Sequence, residues 1–414
     1  MYLFVYRLIG YLILILSPII LVFRILKKKE DILRFKEKFS VISEVRKNGK
    51  LIWFHGASVG EITSVIPLIE KLEKRTDVKQ ILITSSTLSS SKIIKKFKFK
   101  KVLHQFYPLD INFITEKFLN YWKPSLAIFI DSEIWPNMLI NLKKKTVKTL
   151  LLNARITKKT FNRWKSIESF AKKILDNFTL ILVSNKETKN YLSYFKVKKI
   201  LSLGNIKYSE TVTKAEKLNY NLNKFLKSKI YWCASSTHRG EEEVCLNVHL
   251  KLRFRFKNLI TIIIPRHIER KSEVIELIKE KKLNYHCHSW NRKIKKNVNI
   301  YLVDTYGETK KFFREVNNVF LGGSLINHGG QNPLEAARYG SKILHGPNVD
   351  NFKEIFSTLS KFNISKKINN QEQMLKFLEK NIGRKSKSKY YARNINKLGK
   401  KILNITYKYI EKII

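Results

Sequence analysis

At 414 residues the chain is long enough for two domains of ordinary size, and an apolar share of 44% makes it globular rather than disordered. Its 81 Lys and Arg against 33 Asp and Glu give a net charge of +48, which first suggests nucleic acid or an anionic membrane as partner. The excess is mostly Lys scattered over the whole chain, as a bias in base composition would also produce. It forms no Arg and aromatic cluster of the kind that binds nucleic acid, and the residual field favours a surface rich in phosphates.

The N-terminus comes first. Between Arg7 and Arg24 lie sixteen residues without a charge, LIGYLILILSPIILVF, followed by Lys27, Lys28 and Lys29. The run is a little short of the about 20 residues that cross a bilayer, Pro18 would kink it, and Tyr2, Phe4 and Tyr6 can extend it. No small-residue cleavage site follows, and the lysines stand on the wrong side for a secretory signal, so the segment reads as an uncleaved anchor. The positive-inside bias puts the rest of the chain in the cytoplasm; a helix lying in the membrane plane is the alternative.

From Lys50 strands and helices alternate. The strand Leu51 to His55 ends in Gly56-Ala57-Ser58-Val59-Gly60-Glu61, and Ile62 to Leu72 repeats at helical spacing. Further strands are expected at Gln80 to Thr84, Lys101 to Phe106, Leu126 to Ile130, Thr149 to Leu152, Leu180 to Val183 and Lys199 to Leu201. A polar passage from Ser209 to Asn223 reads as an inter-domain linker. The theme then repeats. Ile230 to Cys233 leads to Ser235-Ser236-Thr237-His238, which opens a helix with Glu241 to Glu243 in its first turn, and Leu259 to Ile264 ends in Pro265-Arg266-His267. Ile300 to Val303 precedes the turn Asp304 to Glu308, and the helical, Lys-rich Ser386 to Ile414 is expected to pack back on the first domain. Such alternation predicts an α/β chain of two doubly wound parallel sheets facing each other across a cleft, with ligands at the carboxyl ends of the strands.

Cys233, Cys245 and Cys287 form no CxxC pair, which indicates free thiols in a reducing compartment. His286-Cys287-His288 lacks the third and fourth ligands of a metal site and reads as a strand or loop.

The stretch Val319 to Phe352 organises the second half. A buried strand at Val319-Phe320-Leu321 runs into Gly322-Gly323-Ser324, then Gly329-Gly330, then a helix with Asn332 as expected N-cap and Pro333 at its first position. Glycines there let backbone approach a ligand, and a helix N-terminus behind them would offer N–H groups to an anion, the outline of a nucleotide-phosphate cradle. Glu335 is placed to grip ribose hydroxyls, and a second strand, Lys342 to His345, ends in the turn Gly346-Pro347-Asn348. Arg266, directly after its strand, suits a phosphate because its fork matches two oxygens; the competing reading pairs it with Glu269.

In the first half Glu61 is either a helix-dipole carboxylate or a general base for a hydroxyl nucleophile, with His55 in support. Glu133, in Asp131-Ser132-Glu133-Ile134-Trp135-Pro136-Asn137, is a second acid at a strand end, and Lys207 follows the last strand of that domain. No Asp-x-Asp pair or Glu/His cluster suggests a divalent metal, so phosphate charge falls to backbone N–H groups, Arg and Lys.

Eight motifs together carry a resemblance: FHGASVGE, DSEIWPN, LLNARIT, SLGNIKY, ASSTHRGEEE, IIIPRH, DTYGE and GGSLINHGGQNPLEAA. In order and spacing they resemble the 3-deoxy-D-manno-octulosonic acid (Kdo) transferases of lipopolysaccharide synthesis, from about Leu51 to Phe352 and in the N-terminal anchor. The resemblance implies a GT-B glycosyltransferase of the inner membrane, moving Kdo from CMP-Kdo to a lipid A precursor (lipid IVA) with inversion and without metal or other cofactor. It implies an anchor at 1–29, an acceptor-binding Rossmann-like domain at 30–212, a CMP-Kdo-binding one at 213–385 and a returning helix at 386–414. Glu61 matches the family's proton acceptor, and Glu133 and Lys207 its transition-state stabilisers. Pro265, Arg266, Tyr306, Gly307, Glu308, Asn332, Pro333, Leu334 and Glu335 match its CMP-binding segments. Gln331 stands where many members have His, and Tyr306 replaces a commoner Met.

Overall fold

A parallel strand covered on both faces has to be apolar along its length, and the first seven strands meet that demand. They are β1 (Lys50–His55), β2 (Val78–Ser85), β3 (Val102–Phe106), β4 (Leu126–Ile130), β5 (Lys148–Ala154), β6 (Leu180–Val183) and β7 (Ile200–Ser202). All pair in parallel in the order β3-β2-β1-β4-β5-β6-β7. Leu51, Trp53, Phe118, Trp122 and Phe129 pack one face of the sheet, and Ile52, Phe54, Ile62, Leu68 and Ile128 the other. The one polar atom of Trp53 is satisfied, its Nε1 donating to Thr84 Oγ1 at 2.9 Å.

The computed structural model describes residues 1–210, 217–383 and 388–414, the last from residue 390 with side chains. It divides into one unit of Met1–Thr211 with Leu398–Ile414 and another of Val212–Lys397. The second unit holds β8 (Ile230–Thr237), β9 (Leu259–Pro265), β10 (Tyr285–Cys287), β11 (Ile300–Leu302), β12 (Asn318–Leu321), β13 (Lys342–His345) and β14 (Ser365–Lys367). These too are all parallel, in the order β10-β11-β9-β8-β12-β13-β14.

In each sheet the chain first winds outward one way and then returns to add strands on the other side. The reversal falls between β1 and β4 in the first sheet and between β8 and β12 in the second. There the loops on neighbouring strands leave in opposite directions and open a crevice at the carboxyl edge.

Two details depart from the pattern expected of the sequence. β8 runs on through Ser235 and Thr237, so these hydroxyls lie on the strand, and the helix Glu241–Arg255 starts only after Gly240 turns the chain at φ +88°. The edge strands β10 and β14 are three residues each. Of the passage Ser209 to Asn223, residues 211–216 lie outside the described residues, and Tyr220–Lys227 is a helix.

The final helix, Ser388–Glu411, returns to the first unit with its second half. Ile410 is buried in that core, Arg75 pairs with Glu411 at 2.6 Å and Lys71 Nζ donates to Asn404 Oδ1 at 2.6 Å. At the other end, Tyr2–Leu26 is a single helix containing Pro18, long and apolar enough to cross a membrane.

Candidate active site

The first crevice is built from the ends of β1 and β4. After His55 the chain turns through Gly56, where a Cβ would meet Glu61 Cβ and Ile62 Cδ1 at 3.1 Å and Ile130 Cδ1 at 3.2 Å; glycine lets the turn close against the sheet. Ser58 caps the helix Val59–Glu73 by accepting from Glu61 N, and its hydroxyl donates to Glu61 Oε1 at 2.8 Å. Ala57 N donates to Glu61 Oε2 at 2.7 Å. This is a variant of the capping box in which the acid reaches back to the amide before the cap, so the structural role of Glu61 is real.

Burial lifts the Glu61 carboxyl to about 7, with the charges of Glu133 and Asp131 adding to the rise and the bonds from Ser58 and Ala57 opposing it. Glu133 goes the other way. Burial pushes its carboxyl up, but the bonds from His55 Nε2 at 3.0 Å and Trp135 Nε1 at 2.8 Å outweigh it and hold the group below its usual value. His55 is held in turn by stacking on Tyr107, centroids 3.7 Å apart, and by Thr84 Oγ1, 3.0 Å from its Nδ1. Two neighbouring carboxylates thus sit in environments that separate their protonation, the arrangement that divides a base from a stabiliser of positive charge.

Lys207 completes the group through residues the sequence reading did not single out. Its Nζ donates to Asp131 Oδ2 at 2.6 Å, and Asn153 Nδ2 donates to the other oxygen of the same carboxylate. Asn153 Oδ1 accepts from Ile206 N at 2.9 Å and so fixes the turn Ile206–Ser209 that carries Lys207. Asp131 and Asn153 close β4 and β5 at φ +56° and +60°, a region Asp and Asn tolerate better than other side chains. A small polar residue directly after an apolar run is the signal that marks both.

In the second unit Pro265 is buried at the end of β9, and Arg266 N donates to Thr237 O at 3.0 Å. Arg266 is exposed and makes no side-chain hydrogen bond or ion pair among the described residues, though its charge acts on the Tyr306 hydroxyl. Glu269, expected as its rival partner, instead accepts from Tyr306 OH at 2.9 Å. Gly307 turns at φ +87°. Glu308 accepts from Lys311 Nζ at 3.2 Å and precedes the helix Thr309–Glu315, while Glu335 lies 3.5 Å from Lys310 Nζ. Asn332 Oδ1 accepts from Leu334 N at 3.1 Å.

The glycine cradle differs from the expected one. The helix behind it, Leu334–Arg338, has five residues with Pro333 at its cap position, and Glu335 is its second residue. The loop amides after β12 are not open to an anion. Gly323 N, Ser324 N and Leu325 N donate to the Glu241 carboxylate at 2.7, 3.0 and 3.0 Å, and His238 N joins them at 3.0 Å. Glu241 is 1% exposed, and a Cβ on Gly322 would stand 2.7 Å from its Oε2 and 2.4 Å from Ser236 O. The glycines therefore make room for the protein's own acid. What the crevice does leave unsatisfied are buried side-chain atoms, Ser235 Oγ and His238 Nε2, the latter ring 4.3 Å from that of His328. Among the described residues no group of three or more His, Cys, Asp or Glu is placed to hold a metal ion.

Two Rossmann-like parallel sheets in one chain, each with its polar candidates beside the strand-order reversal, define the GT-B class. The putative UDP-N-acetylglucosamine 2-epimerase of Listeria monocytogenes shares the fold at a TM-score of 0.57 and 13% identity, over 86% of this chain and 91% of that one. Sequence narrows the class. Residues 33–210 match the family model described as 3-deoxy-D-manno-octulosonic-acid transferase (kdotransferase). The 3-deoxy-D-manno-octulosonic acid transferase of Rickettsia bellii is 34% identical over 380 residues, 90% of this chain and 89% of its own length. That of Haemophilus influenzae is 31% identical over 74% of this chain and 73% of its own. The chain belongs to the Kdo transferase family, and its activity is that of a glycosyltransferase.

Proposed function

We propose that the enzyme moves Kdo from CMP-Kdo to a hydroxyl of a lipid A precursor such as lipid IVA, with inversion at the anomeric carbon and without a metal ion. The observation that carries this reading is the pair of opposed carboxyls, Glu61 raised to about 7 and Glu133 lowered. The acceptor hydroxyl attacks the anomeric carbon and its proton passes to a Glu61 oxygen. The bond from the anomeric carbon to the phosphate oxygen breaks, and CMP departs with that electron pair. A base with a pKa near the working pH is ionised often enough to act and basic enough to take the proton. Glu133, kept ionised, and Lys207 on Asp131 are assigned to stabilising the charges that develop.

In the second unit, Pro265, Arg266, Tyr306, Gly307, Glu308, Asn332, Pro333, Leu334 and Glu335 are assigned to CMP. The exposed guanidinium of Arg266 supports this, because one fork matches the single phosphate of CMP. The Ser235 hydroxyl adds a donor that needs no metal. We place the enzyme at the cytoplasmic face of the inner membrane, held by the apolar N-terminal helix and attracted by its net charge of +48 to anionic lipid phosphates.

Incubation of purified protein with CMP-Kdo and lipid IVA, followed by mass spectrometry of the lipid, tests the reaction. A gain of one or more Kdo units is expected with no metal added and with a chelator present. An unmodified lipid, or transfer that the chelator stops, would overturn the donor and acceptor assignment or the metal independence respectively.

A further inference from the structure

The N-terminal helix has two different faces along its whole length. Leu3, Tyr6, Gly10, Leu14, Ser17, Leu21 and Arg24 recur at helical spacing and are partly or fully covered, Ser17 to 7% exposure. The first unit supplies the cover at the N-terminal end. Tyr6 OH donates to Asp110 Oδ2 at 2.8 Å, and Arg7 donates to Asn137 Oδ1 at 3.0 Å and Asn112 Oδ1 at 3.1 Å. The Tyr2 ring lies 6.2 Å from that of Phe170, and a Cβ on Gly10 would touch Ile111 at 3.7 Å. At the other end Arg24 pairs with Glu30 at 2.9 Å, and Glu30 with Lys38, whose carbonyl accepts from Leu109 N at 2.9 Å. Both ends are thus tied to the same folded unit. The opposite face is apolar and bare: Phe4, Ile15, Ile19 and Leu26 are each more than 70% exposed, and Ile32 and Leu33, beyond the helix, are exposed as well.

These contacts are incompatible with a crossing helix. From Arg7 to Lys27 is about 30 Å along the axis, the thickness of the hydrocarbon core. A helix crossing from Lys27 would carry Tyr6 and Arg7 to the far side, away from Asp110, Asn112 and Asn137, which belong to the folded unit beside Lys27. We propose that the helix lies in the plane of the bilayer surface, its Phe4, Ile15, Ile19 and Leu26 face in the acyl boundary and Lys27 to Lys29 among anionic headgroups. The proposal rests on the membrane location given above and fixes its geometry. It also has a consequence for the reaction: Asn137, which Arg7 holds, opens the helix that follows Glu133. The catalytic carboxylates are thereby kept at headgroup level, where a glycolipid presents its sugar.

The three native cysteines are buried, so a single added cysteine reports alone. The full-length chain carrying Tyr2→Cys or Lys28→Cys is to be probed with a membrane-impermeant maleimide in spheroplasts and in inside-out membrane vesicles. Both variants are expected to stay unlabelled in spheroplasts, with Lys28→Cys labelled in inside-out vesicles. Labelling of Tyr2→Cys in spheroplasts would overturn the in-plane helix while leaving the membrane location intact. Recovery of the protein in the soluble fraction would overturn the membrane location and the in-plane helix with it.

Discussion

At Glu61 one local geometry has two effects on a single side chain. Its carboxylate closes a capping box, which asks only for an acceptor, and the same burial that shapes the turn raises its pKa to about 7. If the ionised form is the base, kcat/KM rises with pH through about 7, and a pH–rate profile of the purified enzyme checks it. The folded value stands above the ordinary 4.5, so the stability this group contributes is complete below 4.5 and is lost as pH rises through about 7. The loss is on the order of 3 kcal/mol. Glu61→Gln, which does not ionise, should gain on the parent over that window in thermal unfolding. Asp131 acts on this group from a distance while it holds Lys207. Asp131→Asn is expected to lower kcat about 10- to 100-fold. Because it removes a charge that raises Glu61, it should also move the acid limb of the profile to lower pH. An unchanged limb would reduce Asp131 to a structural role.

Elements that meet at the crevices depend on close backbone approach, and there single atoms decide. A Cβ at Gly399 of the C-terminal helix would stand 2.1 Å from Tyr208 O, in the turn that carries Lys207. Gly399→Ala should cost about 2 kcal/mol or more in the first unit and lower kcat, while isothermal titration finds CMP affinity unchanged. In the second unit Glu241 gathers four amides from two loops. Glu241→Gln would turn its amide NH2, a donor, towards either the Ser324 and Leu325 N–H groups or those of His238 and Gly323. CMP binding should weaken at least tenfold, with a loss of stability of about 3 kcal/mol. The sequence marks Glu241 only as an acid in a first helical turn, since its partners at Gly323 to Leu325 lie some eighty residues on and no local pattern joins them. Likewise β4 was legible residue for residue, an apolar run stopped by Asp131, whereas β8 continues through Ser235 and Thr237, polar yet fully buried. β14, Ser365–Lys367, is too short and too basic to announce itself.

At the scale of the molecule, two sheets with the same reversal of strand order follow from the alternation of apolar runs and helical segments, and this much could be read from the chain. The carboxylates at the end of β1 and β4 could be placed by position. The opposite shifts of their pKa values could not, because they arise from His55, Trp135 and burial brought together only by folding. The N-terminal helix was legible as apolar, but a helix apolar nearly all round does not reveal which face the protein covers. The claim on which the function depends is that Glu61 accepts the acceptor's proton. The most direct test is single-turnover transfer from CMP-Kdo to lipid IVA by Glu61→Gln, with CMP binding measured on the same preparation. The expected result is undiminished CMP affinity with transfer reduced by a factor of about 1,000 or more; transfer at a rate near that of the parent enzyme would contradict it.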